Sequence, residues 1–353
     1  MRIVPVGGEH PYEVRIQRGL LNQLGEQLLE ALPKVQTVAI LTDETVGRLY
    51  GDKAEESLKE AGLRTCRFAF PGGEDNKSLN AWGRMVEFLA ENRLTRSDCV
   101  VALGGGIPGD LAGFAAACYL RGVACVQVPT TLLAMVDSSV GGKMGLNLEE
   151  GKNLAGAFHQ PSLVLCDPDT LSTLPQETLA DGAAESIKYG VLGDRELFDL
   201  LQGGKWLSQA EWVIERCVAA KAALVEEDEH DTGSRQLLNL GHTFAHAIEK
   251  CSRYAISHGH AVAIGMVYAA RLSCRLGLCQ QEVEAAIRLA NQQNGLPVSA
   301  PYGADELTAV ALSDKKRMGD QMTFVLPSSI GACKLHQAEV RLLPEWMKMA
   351  VEE

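Results

Sequence analysis

The first half of the chain alternates between short apolar runs and longer amphipathic stretches. The apolar runs are rich in β-branched and aliphatic residues and are bounded by glycine, proline or charged residues, which is typical of buried strands. Helix-periodic segments separate them, and this alternation predicts a parallel sheet that is covered by helices on both faces. The runs are QTVAILTD (36–43), RTCRFAF (64–70), DCVVALGGG (98–106), VACVQVP (123–129) and SLVLCDP (162–168).

The second half has a different pattern. From Leu171 the apolar spacing becomes helical and β-branched runs become few, so a mainly helical domain is predicted to begin near Leu174. A chain of 353 residues also exceeds the size at which one core usually divides. We therefore predict an α/β N-terminal domain with a parallel Rossmann-like sheet over residues 1–173, plus a mainly α-helical C-terminal domain over residues 174–353.

Composition narrows the class of protein. Hydrophobic residues make up 46% of the chain and charged residues 22%, which is ordinary for a soluble enzyme, and no apolar run is long enough to span a membrane. The first residues lack the apolar core of a secretory signal, so a cytoplasmic protein is expected. A net charge of -12 argues against nucleic acid as the main partner. The ten cysteines are scattered without a CxxC pair, which favours buried thiols over disulfides.

A glycine-rich turn follows the third predicted strand. In GGGIPGD, Gly104, Gly106 and Gly109 form a GxGxxG pattern between a strand and a helix, where backbone N–H groups could bind a dinucleotide pyrophosphate. Glycine turns without ligands are about as common. The turn follows the third strand rather than the first, and no acidic residue stands about 20 positions later. The adenosine end would then depend on Asp43, or on Glu74 with Lys77.

The next segment, residues 127–161, is dense in hydroxyls, glycines and lysines and does not look like a packing segment. It resembles a surface for phosphate and polyol groups, because lysine ammonium groups pair with anions. It is not a P-loop, since Met144 stands where a serine or threonine would hold magnesium. A solvated loop is the alternative. The polar residues concerned are Thr130, Thr131, Asp137, Lys143, Lys152 and Asn153.

Two histidines in LLNLGHTFAHAIE stand four residues apart and would share one helical face. An apolar helix does not need two imidazoles for packing, so a metal, a substrate or a carboxylate is the expected partner, although a solvated stripe is the alternative. A catalytic zinc takes three protein ligands. Glu185, His242 and either His258 or His246 meet that number. Thr243 replaces the glutamate of a zincin HExxH motif, so peptide hydrolysis is disfavoured.

Other charged residues accompany the histidines. Lys188 stands three residues after Glu185, on one helical face, and could form a surface ion pair of little consequence. Lys221 precedes an acidic run that is predicted to be a solvated turn, and Arg235 and Asn239 approach His242 at near-helical spacing. A metal beside cations and a hydroxyl-rich loop suits a phosphorylated polyol.

The order of these motifs resembles the 3-dehydroquinate synthases, members of the sugar-phosphate cyclases. The resemblance spans nearly the whole chain and includes eight long, specific motifs in sequence. It implies a dehydroquinate synthase-like, two-domain fold. The motifs that carry it include PGGEDNKSL, ALGGGIPGDLAGFAAACYLRG, QVPTTLLAMVDSSVGGKMGLN, GKNLAGAFHQP, AESIKYG, LLNLGHTFAHAIE, SHGHAVAIGM and DKKRMGDQMTFVLPSSIG.

The resemblance implies conversion of 3-deoxy-D-arabino-heptulosonate 7-phosphate, a sugar-acid phosphate, to 3-dehydroquinate and phosphate, in the shikimate pathway to aromatic amino acids. In the implied reaction NAD oxidises the C5 hydroxyl, phosphate is eliminated, the ketone is reduced back, and ring opening with an aldol closure follows. A divalent metal polarises the oxygen that becomes the carbonyl. The implied cofactors are NAD and zinc, with cobalt as the alternative ion, and the implied assembly is a homodimer.

The resemblance also assigns roles to residues. The implied metal ligands are Glu185, His242 and His258. The implied catalytic residues around the substrate are Asp137, Lys143, Lys188, Lys221, Arg235, Asn239 and His246. The implied phosphate contacts are Arg121, Lys152, Asn153 and the pair Lys315 and Lys316, of which either could face the site. The implied NAD contacts are Asp43, Gly72, Gly73, Glu74, Asp75, Asn76, Lys77, Gly106, Ile107, Pro108, Gly109, Asp110, Thr130, Thr131, Lys143, Lys152, Thr170, Leu171, Ser172 and Thr173.

Two residues depart from the family pattern. His260 stands where the family usually has glutamate, which leaves open a tuned metal site or an alternative ligand, and Pro108 is atypical in the glycine turn. Three other functions remain open: a related cyclase with a different sugar phosphate, a metal-dependent polyol dehydrogenase, and a catalytically silent binding protein with the same fold.

Overall fold

The computed structural model describes residues 1–231, 233–315 and 320–352. The chain divides into two compact units, Met1–Leu174 with Cys217–His230, and Pro175–Arg216 with Asp231–Glu353. The predicted division was a single break at 173/174, and the structure differs from it at residues 217–230. These residues group with the first unit because Lys221 donates to the backbone carbonyl of Asp137 at 2.9 Å and Glu229 accepts from Gln160 at 2.8 Å.

The first unit contains a seven-stranded sheet in the order β1-β2-β9-β6-β5-β3-β4. The pairs from β2 to β4 across the sheet are parallel, and β1 pairs with β2 antiparallel. The strands of this unit are β1 Arg2–Val6, β2 Tyr12–Ile16, β3 Thr37–Asp43, β4 Arg64–Phe70, β5 Cys99–Gly104, β6 Ala124–Pro129, β7 Lys143–Leu148, β8 Gly151–Phe158 and β9 Leu163–Cys166, of which β7 and β8 form a separate two-stranded sheet. The helices are α1 Leu24–Ala31, α2 Glu44–Val46, α3 Asp52–Glu60, α4 Leu79–Glu91 and α5 Gly106–Cys118.

Both faces of this sheet are buried. On β3, Val38 and Ile40 belong to a cluster with Leu24 and Leu28 of α1, whereas Ala39 and Leu41 belong to a cluster with α4 and α5 on the other face. A strand that packs on both faces reads as a continuous apolar run, which is why β3, β5, β6 and β9 were predictable from the sequence. The edge strand β4 is mostly half-buried. The prediction of a parallel sheet with helices on both faces is confirmed.

Two hairpins of this unit were not predicted. The pair β1–β2 lengthens the sheet at one edge. The pair β7–β8 lies inside residues 127–161, so the prediction that this segment does not pack was wrong: Met144, Gly145 and Leu146 are buried. At Gly145 a Cβ would lie 2.6 Å from the carbonyl oxygen of Ala155, so the two strands approach more closely than a side chain would permit.

The second unit is mainly helical, as predicted, and also contains an antiparallel hairpin. Its elements are α6 Gln176–Gly193, α7 Arg195–Gln202, α8 Ala210–Glu227, which continues into the first unit, α9 His242–Cys251, α10 His258–Arg275, α11 Gln281–Gln293, α12 Ala304–Lys315, β10 Gln321–Ser329, β11 Ala332–Glu339 and α13 Leu343–Val351. Within the described ranges, no helix has both the length and the apolar composition that crossing a membrane requires.

Helix α10 is buried over most of its length, since residues 261–273 are all buried. A helix that is apolar around its whole circumference lies inside a core. Two glycines permit its close packing. A Cβ at Gly259 would lie 2.7 Å from the carbonyl carbon of Asp181 on α6, and a Cβ at Gly265 would lie 2.9 Å from the carbonyl carbon of Gly241, just before α9. Backbone contact therefore fixes α10 against α6 and α9.

Candidate metal centre and nucleotide cleft

Three helices of the second unit each contribute one side chain to a compact cluster. Glu185 lies on α6, His242 is the first residue of α9, and His258 is the first residue of α10. Oε1 of Glu185 lies 3.8 Å from Nε2 of His242 and 3.2 Å from Nε2 of His258. In the part of the chain that the structure describes, this is the one group of three such side chains whose ligand atoms all lie within 4.8 Å of one another.

Both imidazoles are oriented through their other nitrogen. Nδ1 of His242 lies 3.1 Å from the carbonyl oxygen of Leu240, and Nδ1 of His258 lies 3.5 Å from Oε2 of Glu249. Histidine ligands of metals usually donate their second N–H to a carbonyl or carboxylate in this way, which fixes the ring and directs the remaining nitrogen to the ion. The arrangement thus presents two Nε2 atoms and a carboxylate oxygen to one point.

The local charges favour a cation at that point. Burial and the ammonium group of Lys188 lower the pKa of His242 to about 3, so its imidazole is neutral and able to bind a metal at neutral pH. Burial also disfavours the charged form of His258, but its hydrogen bonds to Glu185 and Glu249 prevail and raise its pKa to about 10. A position that attracts a proton this strongly also attracts a metal ion, and the two compete for it.

Lys188 is part of this cluster. Its Nζ lies 2.5 Å from Oε2 of Glu185, and the two side chains are only 1% and 2% exposed. The alternative of a surface ion pair was therefore wrong. The ammonium group of Lys188 thus pairs with one oxygen of this buried carboxylate, while Oε1 is directed to the two histidines.

His246 lies one turn after His242 on α9, as predicted, and the two ring centroids are 5.7 Å apart. Its side chain is exposed, whereas Arg235 is 1% exposed. The predicted continuous helical spacing is interrupted: Arg235 and Asn239 lie in a 3₁₀ turn, Ser234–Asn239, and Gly241 at φ 80° separates it from α9. A left-handed glycine is needed here because the chain turns sharply beside α10.

His260 does not join the cluster. Its Nδ1 lies 2.8 Å from both Oδ1 of Asp181 and Oγ of Ser257, and the hydrogen bond to Asp181 raises the pKa of His260. The first turn of α10 therefore points His258 and His260 to different partners. Among the described residues, the structure gives no support to His260 as an alternative ligand.

The first unit holds a cleft of about 220 Å³ at the carboxyl ends of β3 and β5, where ligands gather in open α/β sheets. Seven of the predicted NAD contacts line it together. They are Asp43, Gly72, Gly73, Gly106, Ile107, Pro108 and Thr131, and Val46 and Gly105 complete the lining.

The geometry of the glycine turn suits a phosphate group. Helix α5 begins at Gly106, so its first N–H groups face this cleft with the positive end of the helix dipole. Pro108 occupies the first turn of α5, where its missing N–H has no intrahelical acceptor to lose. The departure at Pro108 is thus compatible with the helix. Gly109 is closely packed, since a Cβ there would lie 2.9 Å from Oε1 of Gln127.

Asp43 ends β3 and caps the short helix that follows. Its Oδ1 accepts from the backbone N–H groups of Thr45 and Val46 at 2.8 and 2.9 Å and so caps α2.

The other predicted contacts near this edge form local hydrogen bonds. Glu74 accepts from Asn147 at 2.7 Å, and Asn76 donates to the carbonyl of Gly72 at 2.9 Å. Asp75 belongs to the same 3₁₀ turn, Glu74–Asn76.

The stretch from Thr170 to Thr173 forms the end of a 3₁₀ turn, Pro168–Thr173. The hydroxyl of Tyr50 lies 3.1 Å from the carbonyl of Thr170 and 2.6 Å from Oγ1 of Thr173, while Thr170 is buried and its Oγ1 donates to the carbonyl of Asp167 at 2.8 Å. Leu171 is buried and Ser172 donates to the carbonyl of Asp169 at 2.7 Å. Thr130 is also buried, and its N–H donates to the carbonyl of Gly104 at 2.9 Å.

A second cleft of the same unit, of about 350 Å³, brings together Asp110, Lys143 and Asn153. Lys77 links two of these residues, because its Nζ lies 2.5 Å from Oδ2 of Asp110 and 2.6 Å from Oδ1 of Asn153. Burial raises the pKa of Asp110, although the ammonium group of Lys77 opposes this. Lys152 lies 3.7 Å from Oε1 of Glu74.

The remaining predicted residues are placed as follows. Lys221 on α8 pairs with the carboxylate of Asp137. The acidic run that was predicted to be a solvated turn begins on α8, which ends at Glu227. Arg121 is exposed at the end of a 3₁₀ turn, with φ 67°. Lys315 ends α12, and Lys316 lies outside the described residues.

Two residues of the metal cluster's surroundings were not singled out from the sequence, namely Glu249 and Asp181. Glu249 is 4% exposed and contacts His258. The available signal in the sequence was a glutamate at the end of an apolar, helix-periodic run, because such a carboxylate, once buried, needs a cation or several donors. Asp181 precedes Glu185 by one helical turn, and this spacing was also visible.

Comparison with known proteins gives the family. A family model described as 3-dehydroquinate synthase N-terminal matches residues 67–181, and one described as 3-dehydroquinate synthase C-terminal matches residues 182–317. The 3-dehydroquinate synthase of Caulobacter vibrioides is 46% identical over 346 residues, which cover 94% of each chain. The enzyme of Nostoc punctiforme is 46% identical with 92% of each chain covered, and that of Streptococcus suis is 43% identical with 96% of this chain and 97% of its own covered.

Solved structures agree. A 2-deoxy-scyllo-inosose synthase in complex with carbaglucose-6-phosphate, NAD⁺ and Co²⁺ aligns with a TM-score of 0.89 at 25% identity, over 99% of this chain and 100% of that chain. A 2-epi-5-epi-valiolone synthase from Streptomyces hygroscopicus with NAD⁺ and Zn²⁺ aligns with a TM-score of 0.87 at 29% identity, over 98% and 97%. An NADH-dependent butanol dehydrogenase of Thermotoga maritima, at 17% identity and a TM-score of 0.64, shares the fold alone. The family resemblance predicted from the sequence is confirmed, and the chain belongs to the 3-dehydroquinate synthase family.

Proposed function

We propose that this chain converts 3-deoxy-D-arabino-heptulosonate 7-phosphate to 3-dehydroquinate and phosphate as a carbon–oxygen lyase, with NAD and a divalent metal as cofactors. The observation that carries the proposal is the convergence of Glu185, His242 and His258 in a member of this family. The 43–47% identity to 3-dehydroquinate synthases over most of the chain favours this substrate over those of the other cyclases, which are 25–29% identical.

The residues present fit a zinc or cobalt ion. Two imidazole nitrogens and one carboxylate oxygen are the donor set of a catalytic zinc site, which leaves a coordination position for the substrate. The metal would be held by Glu185, His242 and His258, and when bound it would supply Lewis-acid polarisation of a substrate oxygen.

The residues of the first unit fit a dinucleotide. The glycines at the start of α5 allow a pyrophosphate to approach the backbone, and Oδ2 of Asp43 would accept a ribose hydroxyl while Oδ1 caps α2. When bound, NAD would supply reversible oxidation of a substrate hydroxyl. The ammonium groups of Lys143 and Lys152 would hold an anionic substrate group, and His246, exposed beside His242, would hold or move a proton.

One assay separates the candidate functions. Purified protein is supplied with NAD, Co²⁺ and the seven-carbon keto-acid phosphate, and phosphate, dehydroquinate and absorbance at the NADH wavelength are followed together. We expect equal amounts of phosphate and dehydroquinate with no net NADH. Accumulation of NADH without phosphate would refute the proposal in favour of a polyol dehydrogenase, and turnover of glucose 6-phosphate alone would indicate a different cyclase. The homodimer and the cytoplasmic location stay predictions.

A further inference from the structure

Asp181, on α6, forms hydrogen bonds to the beginning of α10. Its Oδ1 accepts a hydrogen bond from the hydroxyl of Ser257 at 2.5 Å, from the backbone N–H of His260 at 3.0 Å, and lies 2.8 Å from Nδ1 of His260. Ser257 precedes α10 and His260 lies in its first turn. One carboxylate oxygen on α6 thus contacts donors from both sides of the start of α10.

The first N–H groups of a helix have no intrahelical acceptor, and the residue before the helix commonly accepts from one of them. Ser257 stands at that position but its side chain makes no such bond. Asp181, which lies on α6, instead accepts the hydrogen bond from the N–H of His260 in the first turn of α10. Its negative charge also interacts favourably with the positive end of the α10 dipole.

The location of Asp181 relates this cap to the metal cluster. Asp181 and Glu185 are four residues apart on α6 and therefore share one face. His258 and His260 begin α10, and a bond from His260 to Asp181 leaves His258 one turn further along α6, where its Nε2 lies 3.2 Å from Oε1 of Glu185.

An independent observation supports the same alignment. Gly259, between the two histidines, contacts the backbone of Asp181, because a Cβ there would lie 2.7 Å from the carbonyl carbon of Asp181. The side-chain bonds of Asp181 fix the direction of the first turn, and the glycine contact fixes its distance from α6.

We propose that Asp181 is a positioning residue that fixes the first turn of α10 on α6 and thereby holds His258 in place to bind the metal with Glu185. The inference rests on the metal site of the proposed function. It also explains the residue at position 260, whose side chain bonds to Asp181 instead of to the ion.

The test compares three variants by Co²⁺ affinity, by the visible absorption of bound Co²⁺, and by hydrogen exchange of the α10 first-turn amides. Asp181→Ala removes every acceptor, whereas Asp181→Asn keeps an oxygen in place. Asp194→Ala is the matched control, because Asp194 caps α7 in the same unit by accepting from Leu197 N–H at 3.0 Å but is absent from the metal cluster.

We expect D181A to weaken Co²⁺ binding at least tenfold, to alter the Co²⁺ spectrum and to speed exchange at His260, in line with the roughly 10–100-fold loss that follows removal of outer partners of metal ligands. D181N should remain within about threefold of wild type and D194A within twofold. A D181A affinity within twofold of wild type, or an equal loss in D194A, would overturn the role of Asp181. Wild-type protein that binds no Co²⁺ would overturn the metal assignment itself.

Discussion

Nε2 of His258 lies 3.2 Å from Oε1 of Glu185, although His258 begins α10 and Glu185 lies on α6. The contact depends on the close approach of two backbones at Gly259, and on the orientation of the imidazole by Glu249. The candidate metal site is thus a product of helix packing, and changes in packing should alter metal binding as directly as changes in the three side chains.

His242 and His246 allow a direct test of how the two histidines divide their roles. His242→Ala should remove bound metal and activity together, because one of three protein ligands is lost. His246→Ala should retain stoichiometric metal and lower kcat by about 100-fold or more, the range expected for a lost proton-transfer group. Metal content by elemental analysis and kcat by phosphate release check both results. Equal metal content in wild type and H242A would contradict the ligand assignment.

Gly259→Ala should weaken metal binding without changing any polar group. The new methyl group would collide with the backbone of Asp181 and push the first turn of α10 away from α6. Overpacking of this kind costs about 1–3 kcal/mol of stability. Co²⁺ titration and thermal unfolding measure the two effects.

Gly193→Ala is the matched control for this substitution. Gly193 ends α6 and nothing lies within 4 Å of a Cβ at that position. G193A should keep wild-type metal affinity. The same loss of affinity in both variants would contradict the packing argument.

Lys77→Met should destabilise the first unit by leaving the carboxylate of Asp110 without its ammonium partner. Loss of one member of a buried pair costs roughly 3–5 kcal/mol, and we expect the lower end because the Asp110 side chain is 18% exposed. The double variant K77M/D110N removes both charges and should recover at least half of the loss. Urea unfolding of the four proteins in this cycle gives the coupling. Additive effects of the two substitutions would refute the pairing.

Asp98 should make stability depend on acid pH. Burial raises the pKa of this carboxyl, but hydrogen bonds from the N–H and hydroxyl of Thr95 and from the N–H of Thr37 outweigh burial and lower it overall. A lowered pKa stabilises the folded state above the unfolded value of about 3.9, and this contribution disappears as pH falls through the folded value. Asp98→Asn should therefore cost about 1–3 kcal/mol at pH 7.

The difference between wild type and D98N should shrink below about pH 4. Urea unfolding at pH 7 and pH 3 measures it. A constant difference across this range would show that the charge of Asp98 is not responsible.

The central strands were predictable because β3 and β5 are buried on both faces and read as apolar runs. The hairpins were harder. Pro5 interrupts the pattern of β1, and β8 alternates between half-buried and exposed residues that include a lysine and an asparagine. Their pairing is decided by partners in space, such as Gly145 against Gly156, which periodicity does not report.

In the candidate site, too, residue types were predictable from the sequence whereas contacts between distant segments were not. The three ligand types were visible in the sequence, and the family resemblance selected His258 over His246; the roles of the site residues stay predictions. Glu249 and Asp181 escaped notice because their partners lie on α10, and no spacing within α9 or α6 records that contact. The bond from Lys221 to Asp137 joins distant segments and was equally invisible.

The membership of residues 217–230 in the first unit has a consequence for synthesis of the chain. During synthesis, the strands of Met1–Leu174 are made before Lys221. The carboxylate of Asp137 therefore gains its ammonium partner only after the first helices of the second unit have also been synthesised. An expressed fragment that ends at residue 174 would permanently lack that partner. A boundary after residue 174 therefore does not separate the chain into two complete units, because the first unit also includes residues 217–230.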